Sequence, residues 1–404
     1  MSRASSGPRV VVSGLGVVSP YGAGTKTFWA GLASGACAIK PITLIETEGF
    51  RSRIAAEIPG DTVAALPASR RRSRADRLAL AAGTEALADA GLHADERAAA
   101  ALAVGAVGGG MFEGEEWYWE ETRSGKPSPK IRALRSILPY SHAETLGWRL
   151  GLRGPKETLI MACASGAASI ALGADLIREG AAPAALVGGV DAFTRICFMG
   201  FNALKLLDPE PCRPFDRDRR GMSIGEAAAF LVLEDAERCR QRGARVYAEL
   251  AGAGMTTDAY HVTAPHPDGE GMMDAMRLAL SAARMTPDGI GYVNAHGTGT
   301  PQNDRIEALA LSRVFGDGAA LVSSTKSLIG HTMAAAGSVE AVATVLALVH
   351  DLVPPTANLR NVDPEVPFDC VPLTARPAEL GAAMSNSFGF GGQNVSLIFR
   401  QPER

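Results

Sequence analysis

Three side chains, far apart in the 404-residue chain, could do chemistry together. Cys163 lies in Thr158-Leu-Ile-Met-Ala-Cys-Ala-Ser-Gly-Ala-Ala-Ser-Ile170, His296 in Asn294-Ala-His-Gly-Thr-Gly-Thr300, and His331 in Lys326-Ser-Leu-Ile-Gly-His331. The run before Cys163 reads as a strand and the run after it as a buried helix. That predicts a thiol at a strand-to-helix turn, where the helix dipole and free N–H groups favour thiolate over thiol. Small neighbours, Ala162, Ala164, Gly166 and Ala167, leave room for an acyl chain. Glycines after His296 allow a sharp turn that presents an imidazole at a strand end. His331 opens a long alanine-rich helix, whose positive end keeps a ring neutral and able to donate. Any one of the three alone would most often be structural. Two neutral histidines facing one cysteine have a specific use: their ring N–H groups can hold a thioester enolate as carbon dioxide leaves. That is the equipment of a carbon–carbon bond-forming thioester enzyme.

Charged and glycine-rich neighbours support these three. Lys326 sits five residues before His331, and Asp304 and Glu307 lie one helical turn apart after His296. Buried charges need partners, so a Lys326–Glu307 pair is expected to fix the histidine loops. The bland alternative for Asp304 and Glu307 is an exposed helix face. Near the end, Ser385-Asn-Ser-Phe-Gly-Phe-Gly-Gly-Gln-Asn394 joins two strands. Its glycines around Phe390 predict a flexible gate with one bulky plug and N–H groups able to face an oxyanion. A nucleotide loop is excluded there, since no helix follows and no GxGxxG is present. Gly105 to Gly110 likewise lacks the Lys-Ser/Thr of a phosphate loop.

The elements that must position these residues alternate between short apolar runs and helical periods, which predicts α/β layering. Strands are expected at Arg9–Ser13, Ala101–Val104, Thr158–Met161, Ala184–Val187 and Ala228–Leu233. Gly14–Gly24 reads as a turn-rich loop, with Thr25 capping the next helix. A helix over Ala75–Ala90 ends at Gly91. Glu113–Tyr140 reads as an irregular insertion near the site. A second round follows Arg245: strands at Val246–Leu250, Ile290–Ala295, Leu321–Ser323, Ala382–Asn386 and Val395–Phe399. Its helices cover Glu270–Ala283, a stretch from Asp304, and about Thr332–His350. Two successive α/β halves, 1–245 and 246–404, suggest a duplication, and the absence of a linker predicts that they pack as one unit.

Composition fits this reading. The chain is 47% hydrophobic and 21% charged, with 45 glycines and a net charge of −3, so nothing attracts nucleic acid or membrane globally. No secretory signal is read at the start, and Leu159–Ala174 and Val339–Val349 read as core helices rather than membrane spans. Cysteines 37, 163, 197, 212, 239 and 370 are scattered without metal-ligand spacing, so no metal is expected and a reducing, cytoplasmic setting is.

The chain resembles the elongating β-ketoacyl-acyl-carrier-protein synthases, synthase II above all, and is similar to specialised type II polyketide or polyene ketosynthases. The resemblance runs from Arg9-Val-Val-Val-Ser-Gly-Leu-Gly-Val-Val-Ser-Pro20 to Ser396. It includes Leu152-Arg-Gly-Pro155, Arg213-Pro-Phe-Asp216, Asp258-Ala-Tyr-His261, both histidine motifs and the Phe-Gly-Phe-Gly-Gly run. It implies the thiolase fold, a duplicated five-layer αβαβα core. It implies a homodimer, with a ketosynthase-type heterodimer as the alternative assembly. No cofactor is implied beyond the phosphopantetheine of an acyl carrier protein, which is the expected partner. By the resemblance, Cys163 carries the acyl group and His296 and His331 promote decarboxylation. Lys326 and Glu307 support them, and Glu340 matches a structural acidic position. The N–H groups of Cys163 and Phe390 form the oxyanion hole, with Phe388 and Gly391 in the gate.

Arg70-Arg71-Arg72 with Arg74 and Arg77 is the densest basic run. Its bland reading is a solvated helix start. The resemblance implies carrier docking there and at Lys205, and such steering is salt-sensitive. Departures from the housekeeping pattern are Gly299, Gln302, Asn303 and Gln393. Gly108 replaces a bulky aliphatic and is expected, with Met111 and Phe201, to line an enlarged acyl pocket. Two other readings stay open. A non-catalytic chain-length partner lacks the active cysteine, which is present here. A biosynthetic thiolase needs a second reactive cysteine near the end, and the glycine-rich run has none.

Overall fold

The computed structural model describes residues 7–67, 72–316 and 320–402. In the first half, strands β1 (Val10–Ser19), β2 (Ala101–Gly105), β3 (Lys156–Leu159), β4 (Ala184–Asp191) and β5 (Ala227–Asp235) pair in the order β3-β2-β4-β5-β1. In the second, β6 (Ala248–Thr257), β7 (Tyr292–Asn294), β8 (Leu321–Ser323), β9 (Ala382–Gly389) and β10 (Gln393–Arg400) pair as β8-β7-β9-β10-β6. The senses match as well. β2 runs parallel to β3 and β4, as β7 does to β8 and β9, and the remaining pairs of each half are antiparallel. The same order and senses, repeated once, are what a duplication leaves. Val11 and Val12 of β1, facing Glu249 and Ala248 of β6, join the two sheets.

The helices used below are α1 (Thr25–Ala33), α2 (Arg74–Ala90), α3 (Met111–Ser124), α4 (Tyr140–Leu150), α5 (Ser165–Arg178), α6 (Arg195–Ala203), α7 (Glu270–Ala283), α8 (Pro301–Phe315) and α9 (Ala336–His350). Helices α5 and α9 pack between the sheets, in a core with β1, β5 and β10. α2 and α4 cover the outer face of the first sheet. α7 and α8 cover that of the second. These are the five layers, and they place the beginnings of α5 and α9 together at the centre.

The duplication also shows in close contacts. A Cβ on Gly14 or Gly16 of β1 would meet the α2 carbonyls of Ala86 or Ala82 at 2.2 and 2.0 Å. On Gly252 or Gly254 of β6 it would meet the α7 carbonyls of Ala279 or Ala275 at 2.3 and 2.1 Å. Each outer helix therefore rests directly on a strand backbone through a Gly-x-Gly pair. This corrects the expected loop at Gly14–Gly24: the glycines serve helix contact, and β1 continues to Ser19.

Other expectations shift for local reasons. Thr25 is the first residue of α1 rather than its cap; its N–H and hydroxyl both donate to Glu85 Oε1, at 2.8 and 3.1 Å. The charged stretch from Glu113 is mostly helical. Its Glu115 carboxylate accepts the N–H groups of Arg195 and Ile196, each at 2.9 Å, and so caps α6. The 18 residues Met333–His350 are apolar enough to cross a membrane, but 83% of that stretch is buried inside the fold.

Candidate active site

Cys163 sits in a single 3₁₀ turn, Ala162–Ala164, between β3 and α5, after Ala162 takes a left-handed φ of 45°. It is 9% exposed. Gly389 lies against this turn: a Cβ there would come within 3.3 Å of the Cys163 and Ala164 nitrogens. The next residue, Phe390, directs its N–H at the Cys163 sulfur. Burial pushes the thiol up to about 11, and the charge of Lys326 and the Phe390 N–H only partly pull it back. The expected preference for thiolate is therefore corrected: desolvation outweighs these pulls, and the resting group is a thiol. Alkylation of Cys163 by iodoacetamide, followed by mass spectrometry, is expected to accelerate about tenfold per pH unit across the neutral to alkaline range. A rate plateau near neutrality would contradict this.

The two rings are held as donors. His296 and His331 are both buried and meet edge to face, with centroids 5.5 Å apart. Burial, then Lys326 and His331, hold His296 well below the ordinary histidine range; burial and Lys326 do the same to His331. Both are neutral. Lys326 Nζ lies 3.2 Å from His296 Nδ1, and a lysine can only donate. The Met333 N–H donates to His331 Nδ1 at 3.1 Å. Each Nδ1 is thus an acceptor, and the proton of each ring sits on Nε2. His331 Nε2 is buried without a protein partner among the described residues.

The expected Lys326–Glu307 pair does not form. Lys326 pairs instead with Glu340 of α9, and both are buried. Glu307 accepts the N–H groups of His296 and Gly297, each at 2.7 Å. It holds the backbone of the histidine turn, and a carboxylate filled by two N–H groups has no need of the lysine. Asp304 is buried too, which removes the exposed-face reading. It accepts Gly299 N–H at 3.1 Å and Phe215 N–H at 2.9 Å. Asn303 bridges both carboxylates through Nδ2. Burial raises Glu307 and Glu340 to about 7 each.

Cys163, His296 and His331 open on one cavity of about 250 Å³, with Phe201, Leu206, Thr298, Thr300, Phe388 and Phe390 among its walls. Phe390 packs on Phe201, with centroids 6.0 Å apart. Gly391, at φ 82°, donates its N–H to the Val262 carbonyl and so ties the turn after β9 to the loop after β6. Gly108 and Met111, expected in the acyl pocket, are not on this cavity. Gly108 N–H donates to Asp191 at 2.7 Å, and a Cβ on it would crowd that carboxylate at 3.2 Å. Close approach to Asp191 is what this glycine provides.

The basic positions separate. Arg70 and Arg71 lie outside the described residues. Arg74, expected to dock a carrier, is turned inward: its guanidinium grips buried Glu226 through Nε at 2.8 Å and Nη2 at 2.5 Å. Arg72 is part-exposed and lines an open groove with Arg77, Lys130 and Arg132. Lys205 is exposed, one residue before Leu206 of the cavity wall. Thr298 and Asn303 also line the cavity; no sequence signal marks Thr298, and Asn303 stands out in the sequence only as a departure.

A thiolase fold with one cysteine and two donor histidines at the meeting of its halves defines a condensing acyltransferase. Family models described as beta-ketoacyl synthase, N-terminal domain, and beta-ketoacyl synthase, C-terminal domain, match residues 8–238 and 247–360. The chain belongs to the beta-ketoacyl synthase family. It is 40% identical to 3-oxoacyl-[acyl-carrier-protein] synthase 2 of Vibrio cholerae over 97% of this chain and 99% of that one. It is 39% identical to the oxytetracycline polyketide putative beta-ketoacyl synthase 1 of Streptomyces rimosus over the full length of both. Among solved structures, the ishigamide ketosynthase/chain length factor superposes with a TM-score of 0.92 at 36% identity, over 98% of this chain and all of that one.

Proposed function

We propose that the chain extends an acyl group by two carbons through decarboxylative Claisen condensation, with both substrates carried as thioesters on an acyl carrier protein. The observation that carries this is the convergence of Cys163 and the two Nε2–H donors on one cavity. The Cys163 sulfur takes the acyl group, and the carrier thiol leaves with the thiol proton. A malonyl thioester then loses carbon dioxide while His296 and His331 donate to the enolate oxygen. The resulting carbanion attacks the acyl carbonyl, whose oxygen is met by the N–H groups of Cys163 and Phe390, and the cysteine sulfur departs. Phe388 packs on His296, with ring centroids 6.0 Å apart. Incubation with a panel of acyl carrier proteins and then malonyl carrier protein, read by intact-protein mass spectrometry, tests loading and extension. Absence of an acyl adduct with every donor would sink the reading.

The relatives divide between fatty-acid and polyketide synthases, and two of the departures, Gln302 and Asn303, line the cavity, which suits a specialised acyl chain. The carrier is acidic by expectation; Arg72 is part-exposed in the groove, and Lys205 is exposed beside the cavity wall. Charge reversal at both, Arg72→Glu with Lys205→Glu, is expected to slow acyl loading about tenfold at low salt and flatten its salt dependence. An unchanged salt slope would place docking elsewhere. For assembly, β3 is an edge strand with Ile160, Ile196 and Met199 exposed nearby in sequence to the site elements, which suits a subunit of the same fold. Either a second copy or a chain-length partner fits, and this chain is the member that retains the nucleophile. Its six free cysteines suit a reducing cytoplasm.

A further inference from the structure

We propose that Asp191 is a positioning residue for the decarboxylation step, acting through the turn that orients His331. Asp191 ends β4 and is 2% exposed, although no element of the mechanism uses it. One carboxylate oxygen, Oδ2, accepts the Ala334 N–H at 2.8 Å. The other, Oδ1, accepts Gly108 N–H at 2.7 Å and Val107 N–H at 3.3 Å. Ala334 belongs to the 3₁₀ turn Met333–Ala335, which begins two residues after His331. That turn begins with Met333 in a left-handed conformation, φ 54°, which a side-chain-bearing residue adopts only under constraint. The same strained residue sends its N–H to His331 Nδ1 and so fixes which ring nitrogen donates.

The geometry forms a short relay. Asp191 holds the Ala334 N–H, the turn holds Met333 in place, and Met333 holds the His331 tautomer. Close packing leaves the turn no other seat: a Cβ on Gly166 of α5 or Gly189 of β4 would meet the Ala334 carbonyl at 2.8 Å. Removing the acceptor leaves the Ala334 N–H unpaired inside this packing, and the strain at Met333 then falls on the ring that must face the enolate. His296 has its own supports, Lys326 and Glu307, and Cys163 sits on another turn. The effect should fall on decarboxylation and spare acyl loading.

This rests on the condensation reading above, so wild-type protein is the first control. Asp191→Asn keeps the shape but offers one acceptor and one donor where N–H groups approach on both sides. The kcat for malonyl carrier protein decarboxylation is expected to fall about 10- to 100-fold, with KM little changed and Cys163 acylation undiminished. Added to His331→Ala, Asp191→Asn is expected to cost nothing further in decarboxylation. Should Asp191→Asn fail to fold, Asp191→Ser, which can meet only one of the N–H groups, must show the same split. Equal losses in loading and decarboxylation, or additive losses with His331→Ala, would overturn the inference. A wild-type protein inactive with every malonyl carrier would instead sink the condensation reading.

Discussion

Cys163→Ala is expected to abolish chain extension, by at least about 10⁴-fold, because nothing else in the cavity can accept the acyl group. The other cysteines cannot substitute. Burial pushes the Cys212 thiol up to about 12 and raises that of Cys370 as well, and neither lines the cavity. The alanine fits the turn, since Ala162 and Ala164 already flank it, so the fold should be retained. Intact mass after incubation with an acyl carrier protein should show no adduct on the variant, and one on wild type. An adduct on the variant would move the nucleophile elsewhere.

The histidines give the second large effect, and it separates the half-reactions. His296→Ala and His331→Ala each remove one donor to the enolate oxygen, which is expected to cost about 10²- to 10³-fold in decarboxylation. Acyl loading of Cys163 should persist in both, because neither ring is needed to hold the acyl thioester. Rapid-quench measurement of carbon dioxide release beside acyl-adduct formation resolves the two. Parallel losses in both would show that the rings serve the nucleophile instead. The variants should differ in stability, since His296→Ala also strips a partner from buried Lys326.

Much of this arrangement was legible in the residue order, and the failures have physical causes. The nucleophile turn, the helix Glu270–Ala283 and the strand Leu321–Ser323 follow from local periodicity, and the structure places them there. Gly14 and Gly16 misled because glycine serves both turns and close approach; the matching pair Gly252 and Gly254 was the signal that distinguishes them. The Lys326–Glu340 pair was out of reach of spacing rules. The two lie 14 positions apart, with Gly330, Gly337 and a 3₁₀ turn between them, so only the tertiary path brings the charges together. Arg74 read as part of a solvated run because burial of Glu226, 152 residues away, leaves no local trace.

One detail of the rings limits which molecules the cavity can serve. With both Nδ1 atoms already accepting and both protons on Nε2, neither imidazole offers a lone pair to a substrate. An acetyl thioester, which must surrender an α-hydrogen to become a nucleophile, would find no base in either imidazole. A malonyl thioester needs none, for its carbanion is released by a departing gas. The direction of the reaction then comes from the lost carbon dioxide, and the wiring of two hydrogen bonds confines the imidazoles to donating.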